Sequence, residues 1–137
     1  MRERPRHSFF SFLPVIVVTI GILPIVMLAQ STFRNAPPSA AGDKNPYAGN
    51  ATAAAAGKKL YAQDCAQCHG NNLQGMGPAP ALDTASVRKA KPGELFWFIT
   101  TGKLSSGMPS WSQLSKQQRW QLVTFLESAP AAKSASK

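Results

Sequence analysis

Cysteine is scarce: the 137-residue chain has only two, which excludes a small scaffold held by several disulfides. Convincing runs of alternating apolar and polar residues are missing, and there are no internal repeats, so neither strands nor a repeat array is expected. The formal charge is +9, but no compact Lys/Arg cluster interleaved with aromatics is present. Part of the excess belongs to the termini, in Arg2, Arg4, Arg6, Lys133 and Lys137. A nucleic-acid-binding face is therefore not expected, and no nucleic-acid partner with it. From Ser8 to Thr32 charged residues are absent altogether.

That last absence divides the chain. The apolar stretch from Phe9 to Ala29 would cover roughly 30 Å as a helix, which is one hydrocarbon core. Cleaved signals carry a shorter apolar region of about 7–15 residues and a small-x-small cleavage site, and "VMLAQS" fits that site poorly. Pro14 and Pro24 interrupt the pattern, but kinked spans are tolerated in lipid. Residues 1–33 thus read as a signal-anchor or transmembrane helix, with a long cleaved signal peptide as the alternative. The N-terminal arginines stay on the cytoplasmic side, so everything after about residue 33 is exported. Residues 34–50, rich in Pro, Ala, Gly and Asn, read as a flexible linker, 51–128 as the folded domain and 129–137 as a disordered tail.

Within the domain, "ATAAAAGKKLYAQD" (Ala51 to Asp64) predicts a helix capped by Asn50 or Thr52. Gly57 inside it marks either a close approach by another element or a soft spot. "NNLQGMGPAPAL" is loop. A second helix fits "KPGELFWFITTG", with Pro92 and Glu94 in its first turn and Gly102 at its stop. A third fits "LSKQQRWQLVTFLES", where Ser115 and Gln118 resemble a capping box. The fold class is all-α, with a core so small that a metal or cofactor is expected to staple it.

Both cysteines lie in "DCAQCHG", and Cys65-Ala66-Gln67-Cys68-His69 is the pattern of covalent c-type haem attachment. Two thiols three residues apart reach the two vinyl groups on one porphyrin edge, and the next residue brings its imidazole under the iron. A redox disulfide would prefer a βαβ context, and structural zinc would need four ligands that the chain does not have. The sixth iron position then falls to Met108 in "SSGMPSW", a Gly-Met-Pro turn, or to Met76 on a tighter loop. Met108 is the better placed, with Gly107 freeing the backbone and Pro109 stiffening the turn. Trp97 and Trp111 are candidates to hydrogen-bond the haem propionates, and Arg88 or Lys89 to neutralise them.

From Ala51 to Ser128 the chain resembles a class I, mono-haem cytochrome c. The resemblance rests on Gly57-x-x-x-Tyr61, Cys65-Ala66-Gln67-Cys68-His69-Gly70, Pro80-Ala81-Leu82, Gly107-Met108-Pro109 and Trp120. It implies a small helical domain wrapped around one covalent haem c, with His69 and Met108 as axial ligands. It also implies that Gly57 and Tyr61 pack against Trp120, and that Pro80 (or Pro78) offers a carbonyl to the histidine's second nitrogen. The implied activity is one-electron transfer rather than catalysis, on the periplasmic side of a bacterial inner membrane, anchored or released by signal cleavage. Partners would be a dehydrogenase, a quinol-cytochrome c reductase or a terminal oxidase, met as a tethered carrier or as a fixed subunit. A haem sensor or peroxidase with a displaceable Met108 is the remaining reading.

Overall fold

The alanine-rich segment after Asn50 forms the first helix, α1 (Ala51–Asp64), and the Asn50 side chain accepts the Ala53 N–H at 2.9 Å. A computed structural model describes residues 36–130. The apolar segment expected over residues 1–33 and all but the start of the expected tail lie outside the described residues. Four further helices follow: α2 (Ala66–His69), α3 (Ala85–Lys89), α4 (Pro92–Thr101) and α5 (Lys116–Ser128). Among the described residues there are no strands, only isolated bridges pairing Met76 with Ala79 and Lys103 with Met108. No helix among them is long and apolar enough to cross a membrane.

Local chemistry sets the ends of the two longer later helices. Pro92 opens α4, the Glu94 carboxylate accepts the Lys91 N–H at 2.8 Å, and Gly102 stops the helix at φ 69°. At the start of α5, Ser115 and Gln118 exchange hydrogen bonds of 3.2 and 2.8 Å, a reciprocal cap that satisfies two otherwise orphaned N–H groups. The helix α3, capped by the Thr84 hydroxyl, has no counterpart among the sequence expectations.

The core forms where α1 and α5 cross. Gly57 is buried, and a Cβ on it would run into the Gln121 carbonyl of α5. Close approach is therefore the reason for the glycine. One turn further along both helices, the Tyr61 ring meets Phe125 at 5.3 Å. Here the structure corrects the expected pairing, because the aromatic partner of Tyr61 is Phe125. Trp120 lies on the turn before, stacks on Phe96 of α4 at 4.2 Å and so ties α5 to α4. The Arg119 guanidinium covers the other side of that joint, 5.0 Å from the Phe96 centroid, and its Nη1 donates to Thr100 Oγ1 at 2.9 Å.

The expected flexible linker differs from what is found between residues 36 and 50. Ala40 is buried, and the Gly93 position in α4 is so close beneath it that a Cβ there would strike the Ala40 carbonyl. The Asn45 side chain, also buried, donates to Thr124 Oγ1 at 3.0 Å and to Glu127 Oε2 at 2.7 Å. The segment packs through backbone and a polar side chain, which is why its lack of apolar period misled. Ala129, placed in the expected tail, belongs to the core instead.

Candidate functional site

Cys65 sits at the seam between α1 and α2, and its carbonyl accepts the Cys68 and His69 N–H groups at 3.1 and 2.9 Å. Gly70, at φ 79°, ends the turn. Both thiols and the imidazole therefore leave one tight helical turn. Neither cysteine is in a disulfide; Cys65 is half-buried and Cys68 exposed. Burial, with Asp64 and Cys68 adding to it, pushes the Cys65 thiol up to about 11. A reactive redox cysteine needs the opposite shift. No group of three or more His, Cys, Asp or Glu able to hold a metal ion occurs among the described residues.

The His69 ring is held by the loop that follows it. Nδ1 lies 2.9 Å from the Pro80 carbonyl. A carbonyl can only accept, so Nδ1 carries a proton, and in the neutral ring Nε2 then keeps the lone pair. Pro80, not Pro78, supplies the acceptor. The same loop is closed at its start by the Gly75 N–H on the His69 carbonyl, 2.8 Å.

Met108 stands on a second turn, at the end of α4. Its backbone exchanges hydrogen bonds of 2.9 and 3.2 Å with Lys103, and Gly107 is left-handed at φ 80°. Gly102 lies directly under this turn: a Cβ there would come within 2.7 Å of the Met108 carbonyl. Trp111 follows, half-buried against the core, and donates its backbone N–H to Ile99 at 3.1 Å. Trp97 is half-buried on α4, edge-on to Phe98 at 5.2 Å. Arg88 is exposed, and its Nη1 reaches the Asp83 carbonyl at 2.6 Å. Met76 is 53% exposed on the loop after His69.

This donor set fits a c-type haem: two thiols and one imidazole with an available Nε2 on a single turn, and a thioether on another. Apolar side chains that a helical core would ordinarily cover, Leu104 at 83% exposure and Met76, are turned outward. Fold and site together define a c-type cytochrome, a helical domain that carries covalent haem c for electron transfer. The chain belongs to the family described as cytochrome c oxidase, cbb3-type, subunit III, whose model matches residues 52–126.

Solved structures agree. Cytochrome cL of the marine methylotroph Methylophaga aminisulfidivorans is 27% identical, with a TM-score of 0.55 over 64% of this chain and 59% of that one. A chain of the reducing HAO-like protein complex of Kuenenia stuttgartiensis is 26% identical at a TM-score of 0.52, covering 58% and 44%. Cytochrome cL of Hyphomicrobium denitrificans, 24% identical at 0.52 over 59% and 49%, shares the fold. This chain thus spans less than two thirds of each of these chains. No curated protein matches.

Two features of the site escaped the sequence. Leu73 is buried at a left-handed φ of 65°, which no residue pattern announces for a leucine. The Tyr61 hydroxyl, rather than only its ring, reaches the loop, and the choice of Tyr over Phe was the available signal.

Proposed function

We propose that this domain relays single electrons through a haem attached by Cys65 and Cys68 and ligated by His69 Nε2 and the Met108 sulfur. The bound haem supplies a reversible one-electron couple, which His/Met ligation shifts toward higher potential. Two protein ligands leave no iron position for a substrate, so these residues favour relay over catalysis. The observation that carries the reading is the 2.9 Å contact between His69 Nδ1 and the Pro80 carbonyl. It selects the tautomer that an axial histidine requires and raises the basicity of Nε2. Trp97 and Trp111 would steady the propionates through their indole N–H groups.

The site faces the periplasm in this reading, tethered by the apolar N-terminal segment, which raises the local concentration of the domain near membrane partners. Lys58, Lys59, Lys89, Lys91 and Lys103 are all exposed and would steer acidic docking faces. A second reading, a fixed haem subunit of a terminal oxidase, is favoured by the family's description; copurification with an oxidase would distinguish it from a carrier. A haem-stained gel of membrane and soluble fractions, with intact mass, tests the whole. One covalent haem on a membrane-bound chain is expected, and a chain without bound haem would overturn the proposal.

A further inference from the structure

The loop from Gly70 to Leu82 presents the Pro80 carbonyl to His69, and its own ties fix where that carbonyl lies. The Leu73 carbonyl accepts the N–H groups of Leu82 and Asp83 at 2.7 and 3.4 Å. Met76 and Ala79 pair with each other at 3.0 and 3.2 Å. Gly75 lies so close behind the Pro80 peptide that a Cβ on it would come within 2.9 Å of the Pro80 carbonyl carbon and 2.6 Å of the Ala81 nitrogen. Pro80 is thus clamped from behind at Gly75 and from beyond at Leu73. The clamp depends on Leu73 staying left-handed, the only non-glycine with positive φ among the described residues.

The turn that holds Leu73 in that conformation is also tied from outside the loop. The Tyr61 hydroxyl, on α1, donates to the Gly70 carbonyl at 2.5 Å in a buried position. That carbonyl also takes the Leu73 N–H at 3.2 Å. The Tyr61 ring is itself fixed against Phe125 of α5. The hydroxyl joins the helical crossing to the first turn of the loop.

We propose that Tyr61 is a positioning residue for the axial imidazole: its hydroxyl locks the Gly70–Leu73 turn, and through Leu73 and Gly75 keeps the Pro80 carbonyl on His69 Nδ1. The inference rests on His69 being an axial ligand. Releasing the carbonyl would leave the imidazole a poorer donor, stabilise ferric iron less and raise the potential.

The test uses the full holoprotein. Tyr61→Phe removes one oxygen and keeps the ring, whereas Val123→Ala weakens a fully buried part of the core in α5 and removes no hydrogen-bonding group. Tyr61→Phe should retain covalent haem, raise the midpoint potential, and move the His69 Nδ1–H resonance of the reduced protein upfield. Exchange of that proton with solvent should be about tenfold faster, the factor equivalent to one hydrogen bond. Val123→Ala should lower the melting temperature and change neither signal. If Tyr61→Phe behaves as Val123→Ala does, Tyr61 is only a core residue and the proposal is wrong. Where Tyr61→Phe gives no folded holoprotein, Gly75→Ala must shift potential and resonance the same way, and wild-type values there overturn the proposal equally. Failure of the haem reading is separate, since it is seen as absence of covalent haem in the unaltered chain.

Discussion

The loop after His69 and the turn around Met108 are both rich in glycine, and each is associated with one of the two proposed axial ligands. The first is tied to itself and to α1 through the buried Tyr61 hydroxyl, with Leu73 buried in the core. The second is pinned at its base by the Lys103–Met108 pair and by Gly102, while residues 103–107 are all exposed. Histidine geometry is therefore set by the folded chain, and methionine geometry by a short hairpin resting on the end of one helix. Such a difference suits a site whose covalent side is permanent and whose other ligand is the first to let go.

The largest expected effect is on the covalent side. His69→Ala should abolish stable holoprotein, read as loss of haem stain on a gel; an unchanged yield of holoprotein would break the comparison at its stronger end. Met108→Ala should keep the covalent haem, open the sixth position to carbon monoxide and lower the midpoint potential. Wild-type spectra from that variant would shift the ligand to Met76. Gly102→Ala probes the hairpin alone. Its methyl would press on the Met108 and Pro109 carbonyls, so a cost of about 1–3 kcal/mol is expected in thermal or denaturant unfolding. Partial loss of the sixth ligand should accompany it, while His69 Nδ1–H stays as in wild type.

The smallest effect is alkaline. Burial raises the Tyr61 pKa above 10.0, and Asp83 adds to the rise against an opposing effect of the Leu73 N–H; the further rise caused by an ionisable Cys65 is absent once that sulfur is a thioether. A raised pKa means that the folded state favours the protonated phenol. Its contribution to stability is fully present below pH 10 and is lost as pH rises through the raised value. Cys65, pushed from 9.0 to about 11 as a thiol, cannot titrate once it is a thioether. Thermal unfolding of the holoprotein should therefore be flat from pH 8 to 9.5 and weaken only above it. A decline already under way at pH 9 would mean an unattached thiol.

Much of this was legible in the letters because it is local. The caps at Asn50 and Ser115 follow from a side chain acting on backbone three residues away, the stop at Gly102 from glycine's access to positive φ, and the Cys65–His69 turn from backbone bonds within five residues. Pro80 was reachable through its spacing to Leu82. What stayed hidden depends on partners far along the chain. Asn45 is a loop residue until Thr124 and Glu127 receive its amide, and Phe125 rather than Trp120 faces Tyr61 because the crossing pivots on Gly57 and Gln121. The five-residue α3 is too short to show a helical period. Leu73 was invisible because its conformation is imposed by hydrogen bonds to Gly70 and Leu82, not by its own preference.

In the proposed site both axial positions belong to the protein, one held firmly and one held by the hairpin. Exposure of the reduced holoprotein to carbon monoxide at neutral pH tests it most directly. The intact protein should keep its haem spectrum, and carbon monoxide should bind only after Met108→Ala; prompt binding by the intact protein would show that Met108 does not hold the sixth position.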